Sequence, residues 1–504
     1  SEQAIEVAMR KFVGRRSELK LLNNVYEVDD AFVLVSGIRH VGKSSLVRLF
    51  ANGKPVLYFG ARELSDEMNR RAFYDQLCGY FKENINPDQE IPDWTELFRS
   101  YAERPESDRK VLVIDNLELL ITADSNFPRT LRNAWEKILR PAGVMLVAII
   151  ASGSVLINLE SSHNPMLGSV SLHLRVPPIS FIEMLRDYPH RSYGELVSMY
   201  AITGGIPLYW RFFKNAMSTL DQLGVVREQM LEQTGWFYNE PVNQITAEVY
   251  EPTEYLSVMQ AIAVGKFTLP EIAAFLKYRP KQVQVVLDNL QALGLVRSEM
   301  PVTEKRANPK KARWFFAQPF LDFWFTFVYP RRAQLECGNT LGAYEFIRQN
   351  FEAFAEYWFS RVSMEMFQAG LKQKSFDFVC DKIGSFWDRS GNLVDIAALD
   401  NLHKKIFLGE CIYANETPTL ADFEDFIKDC GQLQDLNRYK DYTRVYGLFS
   451  TRHPERELID YAMNNDNIVL FEGTTLYRKT DEASDRLSEQ TENKQTGDGD
   501  SDSK

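Results

Sequence analysis

Long apolar runs are absent from these 504 residues. No stretch of about 20 uncharged hydrophobic residues occurs, so the pattern of a membrane-spanning helix is missing. The N-terminal residues Ser1, Glu2, Gln3 and Glu6 lack a basic segment followed by an apolar one. No membrane partner and no export are expected, and the expected location is the cytoplasm. Cysteine is scarce: Cys78, Cys337, Cys380, Cys411 and Cys430 stand far apart with no CxxC pair, which signals neither a zinc site nor a disulfide framework. A reducing compartment fits that usage. An excess of positive charge is also lacking. The net charge of -11 argues against uniform coating of nucleic acid, although a local basic patch still acts over one Debye length. What is present is ordinary globular material, 45% hydrophobic and 25% charged. A chain of this length exceeds one core, since domains settle at about 100 to 200 residues.

Between Ala31 and Ser180 short apolar runs alternate with helical stretches: Phe32 to Ser36, Pro55 to Phe59, Val111 to Ile114, Met145 to Ala151 and Leu172 to Val176. That alternation predicts a parallel sheet covered by helices. Helical segments from Ser192 to about Glu251 follow, broken by the turn Thr203-Gly204-Gly205-Ile206-Pro207, and read as a small lid. From Pro252 to about Ala317 the pattern is three helices and two strands. In the third helix Val283, Val286, Leu290 and Leu293 recur at steps of three and four. This is the outline of a winged helix-turn-helix. After the aromatic bridge Phe320 to Tyr329, a helix precedes strands expected at Asp377 to Val379, Leu393 to Leu399 and Lys405 to Cys411. The domains expected are therefore a P-loop domain over 1–190, a lid over 191–251, a winged helix over 252–330 and an α/β unit over 331–479. The acidic, polar segment 480–504 is expected to be disordered.

Gly37-Ile38-Arg39-His40-Val41-Gly42-Lys43-Ser44 follows an apolar strand and opens a helix at Ser45. This is the context of a phosphate-binding loop. Glycines let backbone N–H groups curl around phosphates, the helix N-terminus adds a favourable dipole, Lys43 supplies charge, and Ser44 can ligate Mg²⁺. The ligand predicted is ATP or a close relative. Val111-Leu112-Val113-Ile114-Asp115 is an apolar strand ending in a carboxylate, which places Asp115 beside that Mg²⁺. The next residue is Asn116, whose amide can orient water but cannot serve as its base.

With these motifs the chain resembles the prokaryotic AAA+ ATPases that combine a P-loop domain, a winged helix and a C-terminal DUF234 domain related to restriction endonucleases. Phe12-Val13-Gly14-Arg15-Arg16-Ser17-Glu18-Leu19 resembles the family's N-terminal box, which implies that Val13 and Gly14 lie beside the adenine. Ala151-Ser152-Gly153-Ser154 ends the strand that carries sensor 1, Thr203 to Tyr209 matches the lid signature, and Phe320-Leu321-Asp322-Phe323-Trp324-Phe325 leads into the last domain. The fold implied is an α/β multidomain protein: an AAA+/ASCE parallel sheet with a helical lid, a winged helix-turn-helix and a PD-(D/E)xK-like C-terminal domain. Two departures bear on hydrolysis. Asn116 stands where the family has Glu, and Ser169, in Pro165-Met166-Leu167-Gly168-Ser169, stands where it offers an arginine. Loss of an arginine that reaches a neighbour's γ-phosphate is worth on the order of 10³-fold in rate. Arg175 is a nearby substitute.

The hairpin after the third helix is basic. Arg297, Lys305, Arg306, Lys310, Lys311 and Arg313 are opposed only by Glu299 and Glu304, while Arg279 and Lys281 are the cations of the helix itself. A positive wing along the phosphates of double-stranded DNA and a loop that docks on protein both remain open. In the last domain Asp395 and Glu410 occupy the metal-ligand places of a PD-(D/E)xK nuclease, but Ile412 stands where its lysine belongs and cannot carry charge. Lys404, on the same expected strand face as Glu410, is roughly 20 Å away along the strand. Glu352 and Glu365 on the preceding helix are further candidate ligands. At most a weak metal site is expected there, and no cleavage. The function expected is an ATP-binding switch with slow or partner-dependent hydrolysis, alone or as an oligomer. The alternatives are an ATP-driven DNA-processing nuclease or remodeller, and an interaction scaffold that keeps its nucleotide.

Overall fold

The strand Phe32–Ser36 (β1) is buried at every position, as are Val111–Asp115 (β3) and Met145–Ile149 (β4). Strands without polar alternation need cover on both faces, and a parallel sheet between helix layers gives it. With Val56–Gly60 (β2) and Leu172–Arg175 (β5) they form one parallel sheet in the order β2-β3-β4-β1-β5. Phe32, Leu34, Ile114, Leu146 and Ala148 meet Phe73, Trp94, Phe98 and Leu131 of the flanking helices in one apolar core. Because the strands run parallel, their C-terminal ends share one edge. The loops after β1, β3 and β4 all open there, where ligands bind in open α/β sheets.

This computed structural model describes residues 14–28, 30–85, 90–304, 312–373, 376–388, 393–413 and 417–479. Val13, Lys305, Arg306, Lys310, Lys311 and the tail 480–504 lie outside them. The chain divides into two compact units: Ser1–His190 with Ile202–Arg297 and Trp314–Tyr344, and Arg191–Ala201 with Ser298–Arg313 and Glu345–Lys504. The helix Tyr193–Thr203 ends and Pro207–Phe213 begins on either side of Gly204-Gly205. A Cβ on Gly205 would lie 2.0 Å from the Ile179 carbonyl oxygen, so only glycine fits that crossing. Helices Pro252–Ala263, Leu269–Leu276 and Pro280–Ala292 follow, then the strands Val296–Glu299 (β6) and Arg313–Phe316 (β7), which pair in a two-stranded sheet. Thr268 and Glu271 close a capping box at the second helix, and Val283, Val286, Leu287 and Leu290 form the buried stripe of the third.

The second unit holds a six-stranded mixed sheet of Lys382–Trp387 (β8), Leu393–Asp400 (β9), Lys405–Ile412 (β10), Thr443–Ser450 (β11), Ile468–Glu472 (β12) and Thr475–Tyr477 (β13), in the order β13-β12-β11-β10-β9-β8. The parallel pairs β10–β11 and β11–β12 are reached through the helices Leu420–Gln432 and Arg456–Asn464. Two expectations are corrected here. Asp377 to Val379 is not a strand: Val379 gives its N–H to Asp400 Oδ2 at 2.8 Å and Asp377 takes the Lys405 ammonium, so side chains replace the ladder until β8 begins. Lys404 is not on the strand either. It sits at φ 51 in the hairpin loop before β10, a turn closed by the His403 N–H on Asp400 Oδ1.

Candidate functional site: a phosphate loop and its walls

Backbone sterics shape the loop after β1. Gly37 has φ 147, and a Cβ there would lie 2.5 Å from the Val176 carbonyl oxygen, so a side chain is excluded. The helix Lys43–Ala51 starts directly after Gly42, with no side-chain cap on its first N–H groups. Those donors are left for an anion. Lys43 is buried and gives its ammonium to the carbonyls of Gly37 at 2.8 Å and Ile38 at 2.9 Å. Burial lowers it to about 8, and Glu118, Asp115 and Glu248 oppose that shift in descending order. A phosphate would supply the negative charge this desolvated cation lacks. Behind the loop the buried Arg15 donates from Nη2 to the Val41 carbonyl at 2.9 Å and from Nη1 to Glu18 at 3.2 Å. Gly14 donates its N–H to Asp187 Oδ2 at 2.7 Å, which ties the start of the described chain to the same unit.

At the end of β3, Asp115 is held from two sides: Tyr58 donates its hydroxyl to Oδ2 at 2.5 Å and the Asn116 N–H reaches Oδ1 at 2.9 Å. Burial and then this carboxylate push the Tyr58 phenol up, while a hydrogen bond with Ser44 opposes the shift. Ser44, Tyr58 and Asp115 are therefore linked. A serine hydroxyl and a carboxylate beside a phosphate cradle fit a nucleotide-borne Mg²⁺ by donor chemistry. Asn116 takes φ 57 and turns its amide to the Ala61 carbonyl at 3.3 Å. The carboxylate that points back across the site is Glu118. It accepts the Ala151 N–H at 3.0 Å, and burial raises its pKa.

The front of the loop is walled by distant segments of the first unit. His40 Nε2 and Glu240 Oε1 are 2.9 Å apart, and Gln244 donates to both Glu240 and the Tyr209 hydroxyl. Glu248 accepts from the Ser152 hydroxyl at 3.0 Å and from the N–H groups of Gly153 and Ser154 at 3.2 and 2.9 Å. It so occupies the N-terminus of the helix Gly153–Ser161. Gly37 to Arg39, Ala151 to Gly153, Glu248 and the segment Ala292 to Leu295 line one cleft of about 200 Å³. Arg175 lines it too and pairs with Glu160 at 2.5 Å. Ser169 instead donates its hydroxyl to Glu136 at 2.9 Å.

In the second unit Asp395 and Glu410 each lie one residue beyond the paired Ile396 and Gly409 of β9 and β10. Asp395 Oδ2 accepts the Cys411 N–H at 3.0 Å, and one Glu410 oxygen is buried without a partner. Burial and then the charge of Asp395 raise Glu410 to about 7, with Asp422, Glu356 and Asp429 adding to it. Glu356, not foreseen from the sequence, is the carboxylate of the long helix Thr340–Lys372 that acts on both Asp395 and Glu410. Among the described residues no group of three or more His, Cys, Asp or Glu is arranged to hold a metal ion.

Two families match the chain. The family described as an AAA domain matches residues 27–153, and DUF234, described as archaeal and bacterial proteins of unknown function, matches residues 324–422. The chain thus carries a segment similar to AAA domains and, further on, a segment similar to DUF234. It is 24% identical over 449 residues to the uncharacterized protein MJECL04 of Methanocaldococcus jannaschii, covering 88% of this chain and 97% of that one. Among solved structures it is similar to the Walker-type ATPase PABY2304 of Pyrococcus abyssi, with 16% identity, 62% of this chain and 96% of that one covered, and a TM-score of 0.49. It is also similar to the ORC2 protein of Aeropyrum pernix in its ADPNP–ADP complexes, with 12% identity, 64% and 95% covered, and a TM-score of 0.40. Identities and scores at this level leave the function to be argued from the site itself.

Within this AAA+ unit the sequence located Gly37 to Ser45, Asp115 and Asn116, and the fold brings all of them to one sheet edge. It did not point to Glu118, Tyr58, Glu240 or Glu248. In Asp115-Asn116-Leu117-Glu118 the glutamate has the spacing of an ordinary solvent-facing residue in a first helical turn, so nothing local marks it. Tyr58, Glu240 and Glu248 come from other strands and helices, and nothing local marks them. Among the described residues no helix is long and apolar enough to cross a membrane.

Proposed function

We propose that this AAA+ protein is an ATP-dependent switch in which Mg²⁺-ATP, held by Gly37 to Ser45 and Asp115, sets the position of the lid and of the helix triad 252–330, and in which hydrolysis is slow or depends on a partner. The observation that carries this is the shared cleft. The loop that meets phosphate, the turn at Ser152, the lid residue Glu248 and the end of the third helix line one space. A γ-phosphate placed there acts on Glu248 by like charge and on Leu293 and Gly294 by volume, giving the ligand the differential contacts a switch requires. Slow turnover follows from Ser169, which brings no charge and turns its hydroxyl to Glu136. When bound, Mg²⁺ would neutralise developing phosphate charge. Within this reading the segment 252–330 is a winged helix whose basic hairpin lies on duplex phosphates, 331–479 is a nuclease-like fold that does not cut, and 480–504 is a solvating tail.

The test is to measure steady-state ATP turnover of the full chain with and without duplex DNA, alongside probe-labelled movement of helix Pro280–Ala292. Turnover below about one per second, the low end for enzymes, with a nucleotide-dependent shift of that helix is expected. Fast turnover with no shift would refute the switch. An active nuclease is disfavoured by Ile412, which stands where a charged lysine belongs. Mg²⁺- or Mn²⁺-dependent cleavage abolished by Asp395→Ala would reverse that.

A further inference from the structure

We propose that Glu118 is the general base of the ATP hydrolysis that remains, in place of the carboxylate missing at Asn116. This rests on the reading of the P-loop as an ATP site. Asp115, Asn116, Glu118 and Glu248 are among the described side chains at the sheet edge beside the P-loop, and the first, second and fourth are engaged by other groups. Asp115 is bonded through both oxygens, by Tyr58 and the Asn116 N–H. The Asn116 amide is on the Ala61 carbonyl. Glu248 accepts three donors at the helix N-terminus. Glu118 differs: Oε2 takes the Ala151 N–H, and among the described residues no side-chain donor binds its carboxylate.

Its position follows from the strand order. Glu118 lies in the first turn of the helix after β3, yet its hydrogen bond is to the chain just beyond β4, and β4 is the strand between β3 and the P-loop strand β1. The carboxylate therefore reaches from Asp115 toward Lys43, and of the carboxylates that act on the Lys43 ammonium it acts most strongly. Burial makes it more basic than a carboxylate in water, which suits proton acceptance near neutral pH. In the step itself a water oxygen bonds to the γ-phosphorus as the bond to the β,γ-bridging oxygen breaks. The bridging oxygen leaves with the electron pair on ADP. The water's proton passes to Glu118 and from there to solvent or the released phosphate.

Glu118→Gln in the full chain keeps an acceptor for the Ala151 N–H but cannot take the proton. Three quantities are read for the wild type and the variant: ATP affinity by calorimetry, melting temperature, and single-turnover conversion of bound ATP, including the ATP fraction of nucleotide retained after gel filtration. The expected result is unchanged affinity and melting, conversion slowed on the order of 10²-fold, and retained nucleotide that is mostly ATP. Conversion within twofold of wild type overturns the assignment, as does a wild type that binds ATP and never converts it. Loss of both melting temperature and ATP binding in the variant also overturns it, because Glu118 would then be a structural cap of the Ala151 turn. If the wild type binds no ATP, the P-loop reading itself fails, which is a different outcome.

Discussion

Asn116 shows how one residue can be read correctly as chemistry and incompletely as structure. Its identity removes a base, which the sequence states, but its left-handed backbone and its bond to Ala61 are tertiary facts. Asn116→Glu would set a carboxylate against the Ala61 carbonyl, so turnover should rise no more than about twofold, well short of the 10²-fold expected of a positioned base. A steady-state assay checks this. Glu410 gives a pH prediction. Its folded value of about 7 exceeds the ordinary value of about 4.3. The native state thus binds the extra proton between those values, and the stabilisation present below pH 4 is lost as pH rises through 7. Glu410→Gln removes that loss, so the variant should gain about 1 to 3 kcal/mol on the wild type at pH 8 relative to pH 4.5. Urea melts at the two pH values decide it, and an equal difference at both would contradict it.

Glu248, on the helix Glu240–Glu248, satisfies three donors around another helix start. Glu248→Ala should cost about 1 to 3 kcal/mol and increase hydrogen exchange at Gly153 and Ser154 without touching the second unit. Exchange unchanged at those two amides would contradict the cap. Elements were the most legible level of the sequence. The five strands of the first sheet were found within one or two residues, because each is a short apolar run that a doubly covered sheet demands. The edge strand β8 was misplaced onto Asp377 to Val379, where a polar side-chain network, invisible in periodicity, takes over the backbone groups.

At the scale of the molecule, the AAA+ and DUF234 segments were legible through local motifs, while the walls of the nucleotide cleft were not, since they join residues some 200 positions apart. The basic segment between β6 and β7 carries a separable prediction of the proposed DNA role. Replacing Lys305, Arg306, Lys310 and Lys311 with alanine should weaken duplex binding and lower the slope of log affinity against log salt by about 3 to 4. Filter binding at several salt concentrations measures it, and an unchanged slope would place the contact elsewhere. The central claim, that this chain holds ATP through Lys43 and releases its energy slowly, is tested most directly by calorimetric titration of Mg²⁺-ATP onto the wild type and Lys43→Ala, with turnover recorded on the same samples. The account predicts wild-type binding with turnover below about one per second, and a loss of affinity in the variant of roughly 10- to 100-fold, as expected for a charge-assisted phosphate contact. Equal affinity in both proteins would contradict it.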